Sequence, residues 1–272
     1  MSDRLFRFGV VASPRDGDQW RTTAQRVSDL GYSTLLMPDG LQLLAPAPAL
    51  AMAAAVTTLR VGTFVLASPL RPPRLAAWEA HSLSVLTGGR FDLGIGTGRP
   101  AVRAMAAELG LPFGTGDERL ALVAELIEHV RVLDGDRHTP ILIAAGGPKA
   151  RALAAAHADI VTLAAGPLAS REEIARMVTD VRDKAGDRAG SIEFASNIFV
   201  VGEQVPSWVQ NFIGADAATL IAHDSLTMLR GTPTEMADEL QRRRDALGIS
   251  YVSVNEIFLE EFAPVVERLA GR

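Results

Sequence analysis

Leu86-Thr87-Gly88-Gly89-Arg90-Phe91-Asp92-Leu93-Gly94-Ile95-Gly96-Thr97-Gly98 describes one complete passage through a protein core. A helical pattern ends at Leu86, and Gly88 and Gly89 supply the positive φ that a helix C-cap requires. Residues 91–95 form a short, largely apolar run of the length expected for a buried strand. Gly96 and Gly98 then open a loop in which the backbone approaches a ligand with no Cβ in the way. Helix, turn, buried strand and glycine loop together make one repeat of a βα architecture.

Working outward, the same alternation recurs along the whole chain. Candidate strands occupy residues 6–12, 34–37, 61–66, 91–95, 141–144, 160–163, 192–201 and 251–254. Amphipathic helical patterns occupy 19–30, 48–57, 74–86, 117–133, 149–157, 171–185, 233–247 and 260–269. Eight strand–helix pairs specify an α/β fold with a parallel sheet, and eight is the count at which such a sheet closes. The expectation is a (β/α)8 TIM barrel forming one domain over residues 1–272. Local signals agree: glycine follows the last helical turn at Leu30-Gly31 and Leu247-Gly248, and Thr232-Pro233-Thr234-Glu235 reads as a capped helix start. Residues 204–229 are less regular and suit one or two short helices. They are expected as a packed helical insertion, with Pro206, Trp208 and Phe212 as the alternative elements of a lid.

Composition removes several classes of function. The 272 residues carry a net charge of −5, which offers no basic footprint for nucleic acid or anionic lipid. There is no cysteine, so disulfide, thiolate and Cys-ligated metal chemistry are excluded. The five histidines (His81, His129, His138, His157 and His223) never fall at i,i+3 or i,i+4 spacing, and no metal site is expected. The apolar run at 8–12 is too short for a signal segment, and 45–56 is interrupted by Pro46 and Pro48. A cytoplasmic protein without a membrane partner is expected.

In a barrel of this type the chemistry sits at the carboxyl ends of the strands. Those ends carry Pro38-Asp39-Gly40, Val61-Gly62-Thr63-Phe64-Val65, Gly96-Thr97-Gly98-Arg99 and Ala145-Gly146-Gly147-Pro148-Lys149, with Ser68-Pro69-Leu70-Arg71-Pro72 leading into the third helix. The glycine spacing after residue 94 is one short of a dinucleotide-binding fingerprint, and Pro100 follows the loop directly. Together with Gly-Gly-Arg-Phe at 88–91, these words resemble the luciferase-like monooxygenase family of flavin- and deazaflavin-dependent oxidoreductases.

The resemblance implies a luciferase-like barrel holding a flavin-type cofactor at its carboxyl face. The cofactor ring would rest on Thr63, Phe64 and Val65, with a non-proline cis peptide at Phe64–Val65. Its phosphate would lie on Gly96, Thr97 and Gly98 and on Ala145, Gly146 and Gly147, where a helix start and Lys149 favour an anion. Asp39 is implied as both a cofactor contact and a catalytic group. Gly40 stands where many relatives have histidine, and Arg99 where sugar-phosphate dehydrogenases of the family carry a catalytic glutamate. Arg99 suits a carboxylate, a phosphate or the cofactor's own anionic tail. Asp39 and Arg99 are therefore the candidate catalytic residues, with Arg71, Asn197, Asn255 and Glu256 as lesser candidates, and His157 is expected as a helix C-terminal residue. The wording favours coenzyme F420 over FMN, and with it hydride transfer to or from a small organic substrate. FMN would imply oxygen insertion fed by a separate flavin reductase, and the changes at 40 and 99 also admit a cofactor-binding barrel without catalysis. By analogy with the family, a homodimer is expected.

Overall fold

The computed structural model describes residues 4–272. The first crossings are β1 (Arg7–Val11), α1 (Gly17–Asp29), β2 (Thr34–Met37), α2 (Pro46–Val56) and β3 (Arg60–Thr63). A short β4 (Leu66–Ala67) precedes α3 (Pro73–Leu86), β5 (Phe91–Gly96), α4 (Val102–Glu108) and α5 (Gly116–Asp134). The alternation continues through β6 (Ile141–Ala145), α6 (Pro148–His157), β7 (Ile160–Leu163), α7 (Arg171–Ala185) and β8 (Glu193–Ile198). Then come β9 (Val200–Val201), α8 (Ser207–Ile213), α9 (Ala217–Ala222), β10 (Met228–Leu229), α10 (Pro233–Leu247), β11 (Ile249–Asn255) and α11 (Leu259–Leu269). Strands β1, β2, β3, β5, β6, β7, β8 and β11 each run parallel to their neighbours, and β11 pairs back onto β1. The barrel is closed. No helix among the described residues is long and apolar enough to cross a membrane.

Side-chain caps set several of the helix starts. Thr115, Ser170 and Thr232 each form a capping box with the glutamate three residues on, satisfying backbone N–H groups that the helix itself leaves open. The short helix α4 carried no comparable signal and was not foreseen by periodicity.

Two expected strands are interrupted. Residues 61–66 do not form one strand: Gly62 pairs with Asp92 and Leu66 with Ile95, so the third crossing holds one residue more than its partner. That extra residue makes a bulge. The peptide Phe64–Val65 within it is cis. The Thr63 hydroxyl bridges the interrupted ladder, donating to the Gly94 carbonyl at 2.7 Å and accepting from the Gly94 N–H at 2.9 Å. A Cβ on Gly94 would lie 1.9 Å from the Thr63 carbonyl oxygen, so the seam between β3 and β5 accepts only glycine. The other interruption divides residues 192–201, where β8 stays in the barrel and β9 leaves to pair with β10.

The strand register sorts side chains into those facing the barrel axis and those facing the helices. The inner set begins at the amino end with charge. Arg7 donates to Glu193 at 2.7–3.1 Å and to Asp92 at 3.3 Å, and Arg60 donates to Asp92. The Arg7 guanidinium also lies 3.7 Å from the centre of the Tyr251 ring. Charges at this depth persist only when paired, and each of these is. Above them Leu36, Leu142, Ile160, Ala195 and Tyr251 fill the axis. The amino end is plugged, so a ligand can enter only from the carboxyl end.

Candidate functional site

The next inward level decides where that entrance is. Ala144, Asn197, Val11, Phe64 and Val65 are only half-buried, the last three packing on the axial cluster below them. A side chain that points into a closed barrel yet touches solvent must line an opening. Asn197 lies two residues beyond Ala195 on β8 and pairs in register with Ser253, whose hydroxyl donates to its Oδ1 at 2.9 Å. Phe64, Val65, Asn197 and Ser253 thus make a floor that is apolar on one side and hydrogen-bonding on the other. Gly96 keeps the floor low: a Cβ there would stand 3.1 Å from Val65 Cγ2 and 3.5 Å from Ala144 Cβ.

The glycine pair after β6 divides its work. A Cβ on Gly146 would come within 2.8 Å of the Ala164 carbonyl oxygen, so this glycine serves the packing of β6 against the end of β7. Gly147 is the N-cap of α6, is exposed, and would meet nothing within 4 Å. No side chain caps α6, and Pro148 has no N–H, which leaves the N–H groups of Lys149 and Ala150 without a capping partner at the positive end of the helix dipole. Lys149 is exposed and bonds Asp117 at 2.7 and 2.8 Å, so its charge is shared with the first turn of α5.

Asp39 is engaged on both oxygens. Arg71 donates to Oδ2 at 2.7 Å and to Oδ1 at 2.9 Å, and the Ala67 N–H donates to Oδ2 at 3.1 Å. With its side chain 3% exposed, the carboxylate fastens the end of β2 to the segment that follows the bulge. Sequence reasoning raised Asp39 and Arg71 as separate candidates; the structure makes them one ion pair.

Arg99 is exposed, and its guanidinium lies 4.4 Å from the centre of the Phe212 ring. Phe212 in turn packs on Phe199 at 5.7 Å. Phe199 follows β8 and Arg99 follows β5, so this contact reaches from one side of the mouth to the other. The insertion therefore reaches the rim of the mouth through Phe212, although Phe212 and Trp208 both stay about half exposed, at 48% and 47%. Its return limb is anchored: Arg243 donates to the Leu226 and Met228 carbonyls at 2.7 and 3.1 Å, and Arg171 bridges Asp224 and Glu239. Thr97 contributes its carbonyl to Arg119 Nε at 2.8 Å.

Two residues at the end of β11 differ in role. Asn255 accepts from the Ile257 N–H at 3.1 Å and so shapes the turn. Glu256 is half-buried, and burial holds its carboxyl pKa above the usual range although the Ser13 N–H and Arg15 act in the opposite sense. His157 is the last residue of α6, at the end remote from the mouth. Burial, then Arg131 and Arg188, hold its pKa down.

Comparison with known proteins adds the family. The luciferase-like monooxygenase model matches residues 6–206, about three quarters of the chain. The chain belongs to the luciferase-like monooxygenase family. An F420-dependent glucose-6-phosphate dehydrogenase of Beutenbergia cavernae is 32% identical over 187 residues, covering 55% of this chain and 54% of that protein. An uncharacterised protein of Mycobacterium tuberculosis is 42% identical over 84 residues, 30% of this chain and 27% of that one. The chain thus matches about a quarter to a half of the length of these relatives. Among solved structures, the F420-dependent tetrahydromethanopterin reductase of Methanopyrus kandleri superposes with a TM-score of 0.73 at 18% identity, covering 98% of this chain and 99% of that one. A long-chain alkane monooxygenase superposes with a TM-score of 0.73 at 15% identity, covering 98% and 92%. At these identities the likeness establishes the shared barrel.

Sequence reasoning left the orientation of Asn197 open, although a usable signal was present. Phe194 and Ile198 are bulky, apolar and packed under the helices, so strand alternation turns Asn197 towards the axis. The Thr63–Gly94 interlock had no such signal, because it depends on a bulge.

Proposed function

We propose that this luciferase-like barrel is an F420-dependent oxidoreductase that exchanges hydride between the deazaflavin and a small organic substrate. The observation that carries the reading is the pairing of an open, half-apolar floor at Phe64–Val65 with an uncapped helix start at Gly147. A planar ring fits the first, and a phosphate fits the second. The F420-dependent relative from Beutenbergia cavernae supports the choice of cofactor.

When bound, a deazaflavin supplies two-electron hydride chemistry. The chain's own residues supply position. Phe64 and Val65 support one ring face, and the first turn of α6 holds the phosphate. Asn197, whose oxygen is already taken by Ser253, presents its amide N–H groups to the mouth. Phe212, held by Arg99 and Phe199 at the rim, is positioned to fold over a bound ligand. Glu256, protonated to higher pH than an ordinary carboxyl, is the proposed proton carrier at the carboxyl end of β11. Asp39 acts through the bulge it fastens, and Arg99 faces the anionic end of a ligand.

A second copy of the chain is the proposed partner. The outer face of α3 and α5 exposes Leu75, Trp78, Val132 and Leu133 along one groove, with Trp78 64% and Val132 80% exposed. Apolar surface gathered in this way marks a contact face. The test of function is a parallel titration of the purified protein with F420 and FMN, followed by absorbance and fluorescence. Binding of F420 with weak or no binding of FMN is expected. Preference for FMN would replace hydride transfer by oxygen-dependent chemistry with a reductase partner, and binding of neither would refute the cofactor site.

A further inference from the structure

The turn between β5 and α4 carries a second arginine beside Arg99, Arg103, that the reading above does not use. Arg99 and Arg103 leave one turn of backbone, closed by Val102 N–H to Arg99 O at 2.9 Å and Arg103 N–H to Pro100 O at 3.1 Å. Each lays its guanidinium on an aromatic ring. Arg99 lies 4.4 Å from the centre of Phe212, and Arg103 lies 4.7 Å from the centre of Phe113. Arg119 stacks on Phe113 as well, at 4.2 Å, and directs its own donors to the carbonyls of Thr97 and Gly114. Phe113 and its arginines are therefore tied to the Gly96–Gly98 loop at the rim of the mouth.

Stacking fixes the plane of a guanidinium while leaving its N–H edge free. The other stacked guanidiniums have their edges engaged: Arg7 meets Asp92 and Glu193, Arg182 donates to the Leu247 carbonyl and Arg244 to the Arg272 carbonyl. Among the described residues, Arg99 and Arg103 meet no carboxylate within 4.0 Å and donate to no protein acceptor. Arg99 and Arg103 thus present, from one turn of backbone, two face-fixed and edge-free guanidiniums whose donors are open to an anion.

We propose that Arg99 and Arg103 form a two-guanidinium clamp for a carboxylate- or phosphate-bearing ligand at the barrel mouth, with Phe212 acting as its cover. The same chemistry is offered by two sources, the acidic tail of F420 and an anionic group on the substrate. Only the first of these rests on the cofactor reading above.

The experiment is calorimetric titration of the wild-type protein and the Arg99→Gln/Arg103→Gln double variant. The probes are F420, the deazaflavin that ends at its ribityl alcohol and so lacks phosphate and tail, and citrate added to the protein with and without F420. Both arginines are exposed, so the variant's melting curve is expected to overlay the wild type's, which checks that it is folded. If the clamp takes the tail, the Kd for F420 rises at least about tenfold, as expected for loss of charge-assisted bonds. Affinity for the truncated deazaflavin stays unchanged in that case. If it takes a substrate anion, both deazaflavins bind the variant normally, and citrate binding to the F420-loaded protein disappears. If neither deazaflavin binds the wild type but citrate does and the variant loses it, the clamp stands and the cofactor reading falls. Wild-type and variant titrations that coincide for all three probes overturn the proposal.

Discussion

Replacing Asp39 by asparagine separates two roles that a carboxylate at a strand end can play. The substitution deletes a charge whose side chain is 3% exposed and leaves Arg71, 20% exposed, facing a neutral amide. Removing one member of a fully buried pair costs about 3–5 kcal/mol. The residual exposure of Arg71 screens part of the loss, which brings the expected cost to about 2–3 kcal/mol. At this chain length each kcal/mol moves the melting midpoint by about 2–4 °C, so a fall of about 4–12 °C is expected. In urea the midpoint shifts while the slope is unchanged, because the surface exposed on unfolding is nearly the same. Arg71→Met is the companion change. The double variant leaves no unpaired charge, so its loss is expected to be smaller than the sum of the two single losses by about 1–3 kcal/mol. Urea denaturation of the four proteins, with F420 and FMN titrations alongside, gives the answer. An Asp39→Asn protein within about 0.5 kcal/mol of the parent that has nonetheless lost cofactor binding would refute the tie and return Asp39 to the ligand.

Gly94→Ala places a methyl group 1.9 Å from the Thr63 carbonyl and is expected to cost more than about 4 kcal/mol, giving little soluble protein; a wild-type denaturation midpoint would disprove the interlock. Gly146→Ala is expected to lower stability whether or not cofactor is present, because its Cβ meets the Ala164 carbonyl at 2.8 Å. A Cβ at Gly147 meets no protein atom within 4 Å, so Gly147→Ala is expected to weaken cofactor binding at nearly unchanged stability, and normal titration of that variant would remove the α6 start from the site. Glu256 has a raised carboxyl pKa, so the folded state holds its proton more tightly than the unfolded chain and loses stability as pH rises through that window. Glu256→Gln should therefore match the wild type in acid and gain on it towards neutrality, as read from melting midpoints between about pH 4 and pH 8; a constant difference across that range would show that titration at Glu256 is not the cause.

The barrel was legible because its evidence is local. Each βα unit announces itself by an apolar run, an amphipathic stretch and a glycine or capped turn within about thirty residues, and closure follows from the count. The position of the cis peptide was legible through resemblance, since Val-Gly-Thr precedes Phe64. What could not be read were the relations between distant residues. Nothing in the neighbourhood of Asp39 says that Arg71 will satisfy it, because the pair forms only when the bulge bends the third crossing back towards β2. Phe212 was named with Pro206 and Trp208 as an alternative lid element, but its partners Arg99 and Phe199 are fixed only by the tertiary course of the chain through β9 and β10.

The same contrast explains why glycine is informative in two different ways here. Gly94 and Gly146 are required by the chain itself, since a Cβ at either position collides with a neighbouring carbonyl oxygen. Gly147 is under no such demand: its surroundings are empty, its φ of −75° is open to any residue, and serine there would cap the helix better. Glycine at this position keeps the space over the α6 start clear, which is the property the proposed anion site requires. The structural glycines draw the barrel shut around a plugged axis, and Gly147 leaves a set of unbonded N–H groups at the end that remains open. In the site we propose, the ligand's anionic group lies where those donors converge, and a flavin-type ring then reaches the Phe64–Val65 floor from the adjacent strands.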